Sequence, residues 1–179
     1  MKLRMAILFF MLPFLATAKG HVPKSIYDFK ISGHDGKTID LSQYKGKKIL
    51  LVNTTAYTPG NAQYAELEAL SKKYAGKLVV IGFLSRDFAT PPDAKRNPAT
   101  IPATQYNVTF PLSTFTVLRG NDMAPIYQWL TEKQYNQYQD TEVKWDFQKY
   151  LVNEQGQLVA EFDPKIKVTD ARVTAAIEK

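Results

Sequence analysis

The stretch KILLVNTTAYTPGNAQYAELEALSKKYAG, residues 48–76, decides the fold. Its centre, Ile49-Leu50-Leu51-Val52, is a continuous apolar run bounded by turn residues, as expected of a strand covered on both faces. Residues 53–59 read as a loop. Beyond it Tyr64, Leu67, Leu70 and Tyr74 recur at helical spacing, and Gly76 can take the left-handed position that ends a helix. A loop that enters a helix N-terminus stabilises an anion, and thiol enzymes place a thiolate at such a point. Here the loop carries Thr58, and the chain has no cysteine at all.

Working outward, residues 26–31 and 38–41 flank Gly33-His34-Asp35-Gly36, a turn signal that predicts an opening hairpin. The strand at Lys48, a helix from Asn61 and a second apolar run over 78–84 make a βαβ unit with parallel strands. Pro91, Pro92, Pro98 and Pro102 argue against a regular helix over 89–105. Pro125-Ile126-Tyr127-Gln128-Trp129-Leu130 reads as a helix with proline in its first turn. Strands over 147–153 and 158–162 form a second hairpin through Gln155-Gly156, and residues 168–179 close as a helix. Periodicity alone therefore predicts one α/β domain with a parallel unit and two hairpins.

At 179 residues the chain suffices for one domain with a real core. Residues 1–18 read as a signal peptide: Lys2 and Arg4 form the basic end, 5–15 the apolar body, and Ala16-Thr17-Ala18 a small-residue cleavage site. The apolar body is short for a span of ~20 residues and contains Pro13, which disfavours a membrane anchor. The expected product is a periplasmic or secreted protein, residues 19–179, that is not embedded in a membrane. Loss of Lys2 and Arg4 takes the net charge from +6 to +4. Short basic clusters at Lys45, Lys47 and Lys48 and at Lys95 and Arg96 suit solvated faces, so no nucleic-acid partner is expected. Without cysteine no disulfide framework is possible, and stability must come from the core.

The segment Asn53-Thr54-Thr55-Ala56-Tyr57-Thr58-Pro59-Gly60-Asn61-Ala62-Gln63-Tyr64 resembles the active-site segment of glutathione peroxidases, where an Asn-Val-Ala-Ser type strand end leads to a peroxidatic cysteine or selenocysteine. Four further stretches match that family in order: Ile26-Tyr27-Asp28-Phe29, then Gly82-Phe83-Leu84 with Phe88, then Tyr106-Asn107-Val108-Thr109-Phe110-Pro111, and last Lys144-Trp145-Asp146-Phe147 with Tyr150-Leu151-Val152. The resemblance implies a thioredoxin-like fold with an added N-terminal β-hairpin. It also implies a monomer, because the connection between Leu130 and Val143 is too short for the insertion that some tetrameric members use.

In that family a sulfur or selenium atom attacks the peroxide, while a glutamine, a tryptophan and an asparagine donate hydrogen bonds around it. Carried over, these positions are Thr58, Asp87, Trp145 and Asp146, so only the tryptophan is kept. A threonine hydroxyl cannot cycle through a sulfenic acid, and neither His21 nor His34 is placed to activate it. Ionised carboxylates accept hydrogen bonds and repel a thiolate that amide N–H groups would favour. The family's usual resolving cysteine would fall before Tyr106, in the proline-rich stretch that has no thiol. No catalytic residue and no cofactor is expected.

Each of these residues also has a plain structural reading. Trp145 is expected to be a half-buried packing residue, and Tyr57 and Tyr64 can be the same. Asp87 and Asp146 are either exposed loop carboxylates or a facing pair, in which case one pKa rises or a cation sits between them. Arg86 is the nearest counter-charge in sequence. Two carboxylates and a hydroxyl fall short of the oxygens that calcium prefers, and no metal is expected. The function expected is that of a binding or accessory protein whose partner is an unknown protein or a small polar or cationic ligand. Ligand candidates are Thr58, Asp87, Trp145, Asp146 and Arg86. The enzymatic alternative is residual peroxidase activity in an oxidative-stress setting.

Overall fold

Residues 48–55 form the central strand because nearly every side chain in them is apolar or small enough to be covered on either face. The computed structural model describes residues 21–55, 62–88 and 106–179. The signal-peptide reading of 1–18, the loop residues Tyr57 and Thr58, and the proline-rich segment lie outside them. The described elements are β1 (Lys30–Ser32), β2 (Thr38–Asp40), β3 (Lys48–Thr55), α1 (Gln63–Lys73), β4 (Leu78–Ser85), α2 (Pro125–Thr131), a short turn of helix α3 (Lys133–Asn136), β5 (Lys149–Val152), β6 (Leu158–Phe162) and α4 (Ala171–Glu178).

The strands form a two-stranded hairpin, β1-β2, and a four-stranded sheet in the order β4-β3-β5-β6. β3 and β4 are parallel, with Leu50 opposite Val80, as the βαβ reading requires. β5 is antiparallel to β3 and β6 antiparallel to β5. The result is a thioredoxin-like α/β fold with an added N-terminal hairpin.

Alternation along β3 divides the core in two. Ile49 and Leu51 join Phe83, Tyr127, Leu130 and Tyr150 on the face covered by α2 and the N-terminal segment. Leu50 and Val52 join Tyr64, Leu67, Leu70, Val173 and Ile177 on the face covered by α1 and α4. Each such side chain contributes about 2 kcal/mol of transfer free energy when fully buried. Outside β4 the chain comes back at 112–113, where Ser113 N donates to Gly82 O (2.8 Å). A Cβ at position 82 would stand 2.5 Å from Leu112 Cδ2, so any side chain there would force the buried Leu112 to shift.

Several expected boundaries shift for local reasons. The loop expected from Asn53 begins only after Thr55, because Asn53–Thr55 continue the parallel pairing with Phe83–Ser85, and the strand expected from 147 starts at Lys149, because Phe147 has φ 64°. The opening strand starts only at Lys30, because Ile26–Asp28 winds into a 3-10 turn whose first N–H groups are capped by Ser25. The last helix starts at Ala171 rather than 168, because the Asp170 carboxylate accepts from Arg172 N (2.9 Å) and caps it there. Helix α1 ends at Lys73, and Gly76, at φ 85°, closes the turn that follows instead of the helix itself.

Candidate functional site

Strand register gathers three segments at one edge of the sheet. The parallel strands β3 and β4 both end there, at Thr55 and Ser85, whereas β5 begins there with Lys149 opposite Val52. The segment entering β5 is consequently laid beside the end of β3. Asn53 holds it at three points: Phe147 N donates to Asn53 O (2.7 Å), Asn53 N donates to Gln148 O (3.3 Å), and Asn53 Nδ2 donates to Trp145 O (2.8 Å). Phe147 has φ 64°, an uncommon backbone state for a bulky residue. Its ring is buried and meets Tyr64 edge-on at 5.3 Å, while Trp145, two residues earlier, faces solvent.

Trp145 departs from the packing expectation: it is 56% exposed. Its indole lies against Phe88, with ring centroids 4.9 Å apart, and the Arg119 guanidinium sits over Phe88 at 4.2 Å. An aromatic side chain gains area by burial in the core, but here a second aromatic at the surface provides the contact instead. Tyr64 is a packing residue, almost wholly buried, with its hydroxyl donating to Thr55 O.

Asp87 follows β4 and is fixed by its own backbone and by the 118–119 segment. Asp87 N donates to Ser85 Oγ (3.1 Å), Asp87 Oδ2 accepts from Leu118 N (2.6 Å), and Asp87 O accepts from Arg119 Nη2 (2.9 Å). Asp146 is only 8% exposed, so the exposed-loop reading does not hold for it. Burial, and then the charge of Asp87, push its carboxyl up to about 6. No donor among the described residues bonds its carboxylate. The carboxylates of Asp87 and Asp146 both act on the buried Tyr127, whose phenol is raised above its ordinary range chiefly by burial. Tyr127 Oη and Asn53 Oδ1 are themselves buried without a hydrogen-bond partner.

Of the candidates read from the sequence, the structure brings Asp87, Trp145 and Asp146 to this edge, and Thr58 lies outside the described residues. Arg86 does not supply the expected counter-charge. Its guanidinium stacks on Phe115 at 3.8 Å, and no salt bridge joins it to either aspartate. Among the described residues no three His, Cys, Asp or Glu side chains come together as a metal site. None of their helices is long and apolar enough to cross a membrane.

Sequence reasoning missed Lys149 and Gln148, both wholly buried at the start of β5. Lys149 Nζ donates to Gln63 Oε1 (3.2 Å), Pro164 O (3.3 Å) and Ile166 O (2.5 Å), and burial lowers its pKa to about 8. Gln148 Nε2 donates to Glu142 O (2.8 Å) and Glu161 Oε1 (2.7 Å), and its Oε1 accepts from Lys144 N (2.8 Å). The available signal was two polar residues directly ahead of the apolar run Tyr150-Leu151-Val152.

The family model described as glutathione peroxidase matches residues 26–131. The glutathione peroxidase homolog BsaA of Staphylococcus aureus (strain MW2) is 31% identical over 158 residues, 87% of this chain and 98% of that protein. The crystal structure of Trgpx in apo form is similar with a TM-score of 0.66 and 30% identity, over 87% of this chain and 96% of that one. A secreted Mycobacterium tuberculosis disulfide oxidoreductase is similar in fold only, with a TM-score of 0.55 and 15% identity over 85% of this chain and 96% of that one. The matched segment runs through the β3-α1-β4 unit that carries Asn53 and Asp87, and on these grounds the chain belongs to the glutathione peroxidase family.

Proposed function

We propose that this chain is an exported member of its family that has given up thiol-peroxidase turnover and acts by binding at the edge where its relatives would hold their reactive centre. The observation that carries this reading is the joint loss of nucleophile and donors: no cysteine in 179 residues, with carboxylates at both positions where the family resemblance calls for amides. Peroxide reduction needs a group that takes the peroxide oxygen and a reductant that removes it, and in this family sulfur or selenium does the first. Asp87 and Asp146 supply negative charge where a thiolate or a developing oxyanion would need N–H donors. The signal-like composition of residues 1–18 supports export to a periplasm or to the medium.

Peroxide consumption by purified, metal-free protein, with glutathione and separately with thioredoxin as reductant, tests the loss of turnover. The expected rate equals the protein-free background. Robust reduction that disappears on changing Thr58 overturns the reading. Export is tested by mass spectrometry of protein from the native host: a mature chain starting at Lys19 is expected, and an intact Met1 terminus in the membrane fraction contradicts it.

A further inference from the structure

The end of the sheet opposite the edge that holds Asn53 and Trp145 carries most of the protein's excess charge. In sequence Lys45, Lys47 and Lys48 form a short run that suits a solvated face, but the fold sets a second run beside it. Strands β3 and β4 start together here, and Lys48 N donates to Lys77 O (3.0 Å). Helix α1 ends at the same place, with Lys72 and Lys73 in its last turn. These six lysines stand against three glutamates, Glu68, Glu154 and Glu178. The excess of three positive charges is most of the +4 that residues 19–179 keep once Lys2 and Arg4 are taken from the formal +6. The remainder of residues 19–179 is close to neutral.

The three carboxylates are already engaged. Glu154 pairs with Lys48 at 2.9 Å and Glu68 with Lys72 at 3.0 Å, while Glu178 accepts from Tyr74 Oη at 2.5 Å. Lys45, Lys47, Lys73 and Lys77 form no salt bridge with a described residue. Lys45 and Lys73 instead lie over the rings of Tyr27 and Tyr74, 5.5 and 4.8 Å from their centres. Among these groups opens a cavity of about 480 Å³, lined by Lys48, Tyr74, Lys77, Glu154, Glu178 and Lys179. Charges of one sign around a concave surface focus the local potential and draw an anionic partner.

We infer that this end is a docking surface for an acidic segment of a partner protein. Carboxylates on such a segment complement the four lysines that lack one, and a protruding chain fills a cavity that a flat surface would only span. An anionic bilayer is a poorer fit: none of the exposed large apolar side chains lines the cavity, so nothing is offered for insertion among acyl chains. Nucleic acid is a poorer fit as well, because every cation here is a lysine and none an arginine that could grip a phosphate with two parallel bonds. Strands β3 and β4 each run eight residues, so at ~3.3 Å per residue the surface lies roughly 23 Å from the edge that carries Asp87. A segment bound here leaves that edge free, and the inference stands whether or not that edge binds a ligand.

The test is a titration of the purified protein with a fluorescein-labelled hexaglutamate peptide, read by anisotropy at neutral pH and at low and high salt. Saturable binding is expected, weaker as salt rises. In the triple variant Lys45→Glu, Lys73→Glu, Lys77→Glu the affinity is expected to fall by about tenfold or more. A control with Lys24→Glu, Lys37→Glu and Lys133→Glu has the same net charge but an intact surface, and is expected to bind as the parent does. All six replaced lysines are exposed, which favours folding of both variants. Should the first variant not fold, Lys45→Gln, Lys73→Gln and Lys77→Gln make the same comparison with a smaller loss. Absence of saturation, or an equal loss in the surface variant and the control, overturns the assignment. Tighter binding to phosphatidylglycerol vesicles or to single-stranded DNA, at equal concentration of anionic groups, overturns it too.

Discussion

Asn53 Nδ2 donates to the carbonyl oxygen of Trp145 at 2.8 Å, joining residues far apart in sequence and fixing the segment that carries Asp146 against the end of β3. Because Asn53 is wholly buried, loss of this bond leaves a carbonyl to be satisfied elsewhere. Asn53→Ala is expected to lower stability by roughly 1–2 kcal/mol. It should also loosen the Trp145 side chain. Urea denaturation measures the first effect, and the Trp145 emission maximum and quenching by acrylamide measure the second. An unchanged midpoint together with unchanged quenching would remove Asn53 from the support of the site.

Asp146 is held at a cost to the fold. Its pKa in the folded chain, about 6, exceeds the ordinary carboxylate value, so the native state binds more protons than the unfolded state between about pH 4 and 6. Stability from this residue is present below that window and is lost as pH rises through it. Asp146→Asn is therefore expected to be more stable than the parent at pH 7–8, by up to ~3 kcal/mol, with the gap closing towards pH 4. Thermal or urea unfolding of both proteins across this range decides it. A gap that is absent at pH 7.5, or one that does not change with pH, would show that the carboxyl is not strained by its surroundings.

The fold was largely legible because its decisive elements are local patterns. The run Ile49-Leu50-Leu51-Val52, the helical spacing from Tyr64 to Leu70 and the proline at position 125 each act within one element. The site was legible only as positions. Asp87 and Asp146 could be placed by family resemblance, but their interaction depends on β5 running antiparallel beside β3, a long-range fact. Trp145 was misjudged because burial area says nothing of a surface partner such as Phe88. Lys149 was missed because its acceptors lie on Gln63, Pro164 and Ile166, none of them near it in sequence.

Lys149 gives the opposite pH signature to Asp146. Burial lowers its pKa to about 8, below the ordinary lysine value, so between about pH 8 and 10.5 the unfolded state binds more protons than the native one. Stability consequently rises with pH through this window as the buried charge is discharged. Relative to Lys149→Met, the parent protein should gain up to ~3 kcal/mol between pH 7.5 and 10. At pH 7 the variant loses the three hydrogen bonds but also the buried charge, and the two effects offset each other in part. Paired unfolding curves at several pH values test this. A stability difference that stays constant from pH 7.5 to 10 would mean that Lys149 titrates as an ordinary lysine.

A final prediction separates loss of one atom from electrostatic remodelling of the whole site. Thr58 lies outside the described residues, but the family resemblance places it at the nucleophile position. If the missing sulfur were the only change, Thr58→Cys should yield a reactive thiol with a lowered pKa, as a cysteine at a helix entry does. If the carboxylates of Asp146 and Asp87 face position 58, as the resemblance implies, they oppose the thiolate instead. The expected outcome is that Thr58→Cys alone stays largely protonated near neutral pH and reacts slowly with peroxide. Adding Asp87→Gln and Asp146→Asn is expected to lower the thiol pKa and raise the rate, with each pKa unit worth ~1.4 kcal/mol of differential stabilisation. Asp146→Asn is expected to contribute more, because Asp87 already shares its charge with Leu118 N. Thiolate absorbance near the ultraviolet edge gives the pKa, and stopped-flow oxidation gives the rate. Superimposable pH–rate profiles for the single and triple variants would show that the two aspartates do not act on position 58.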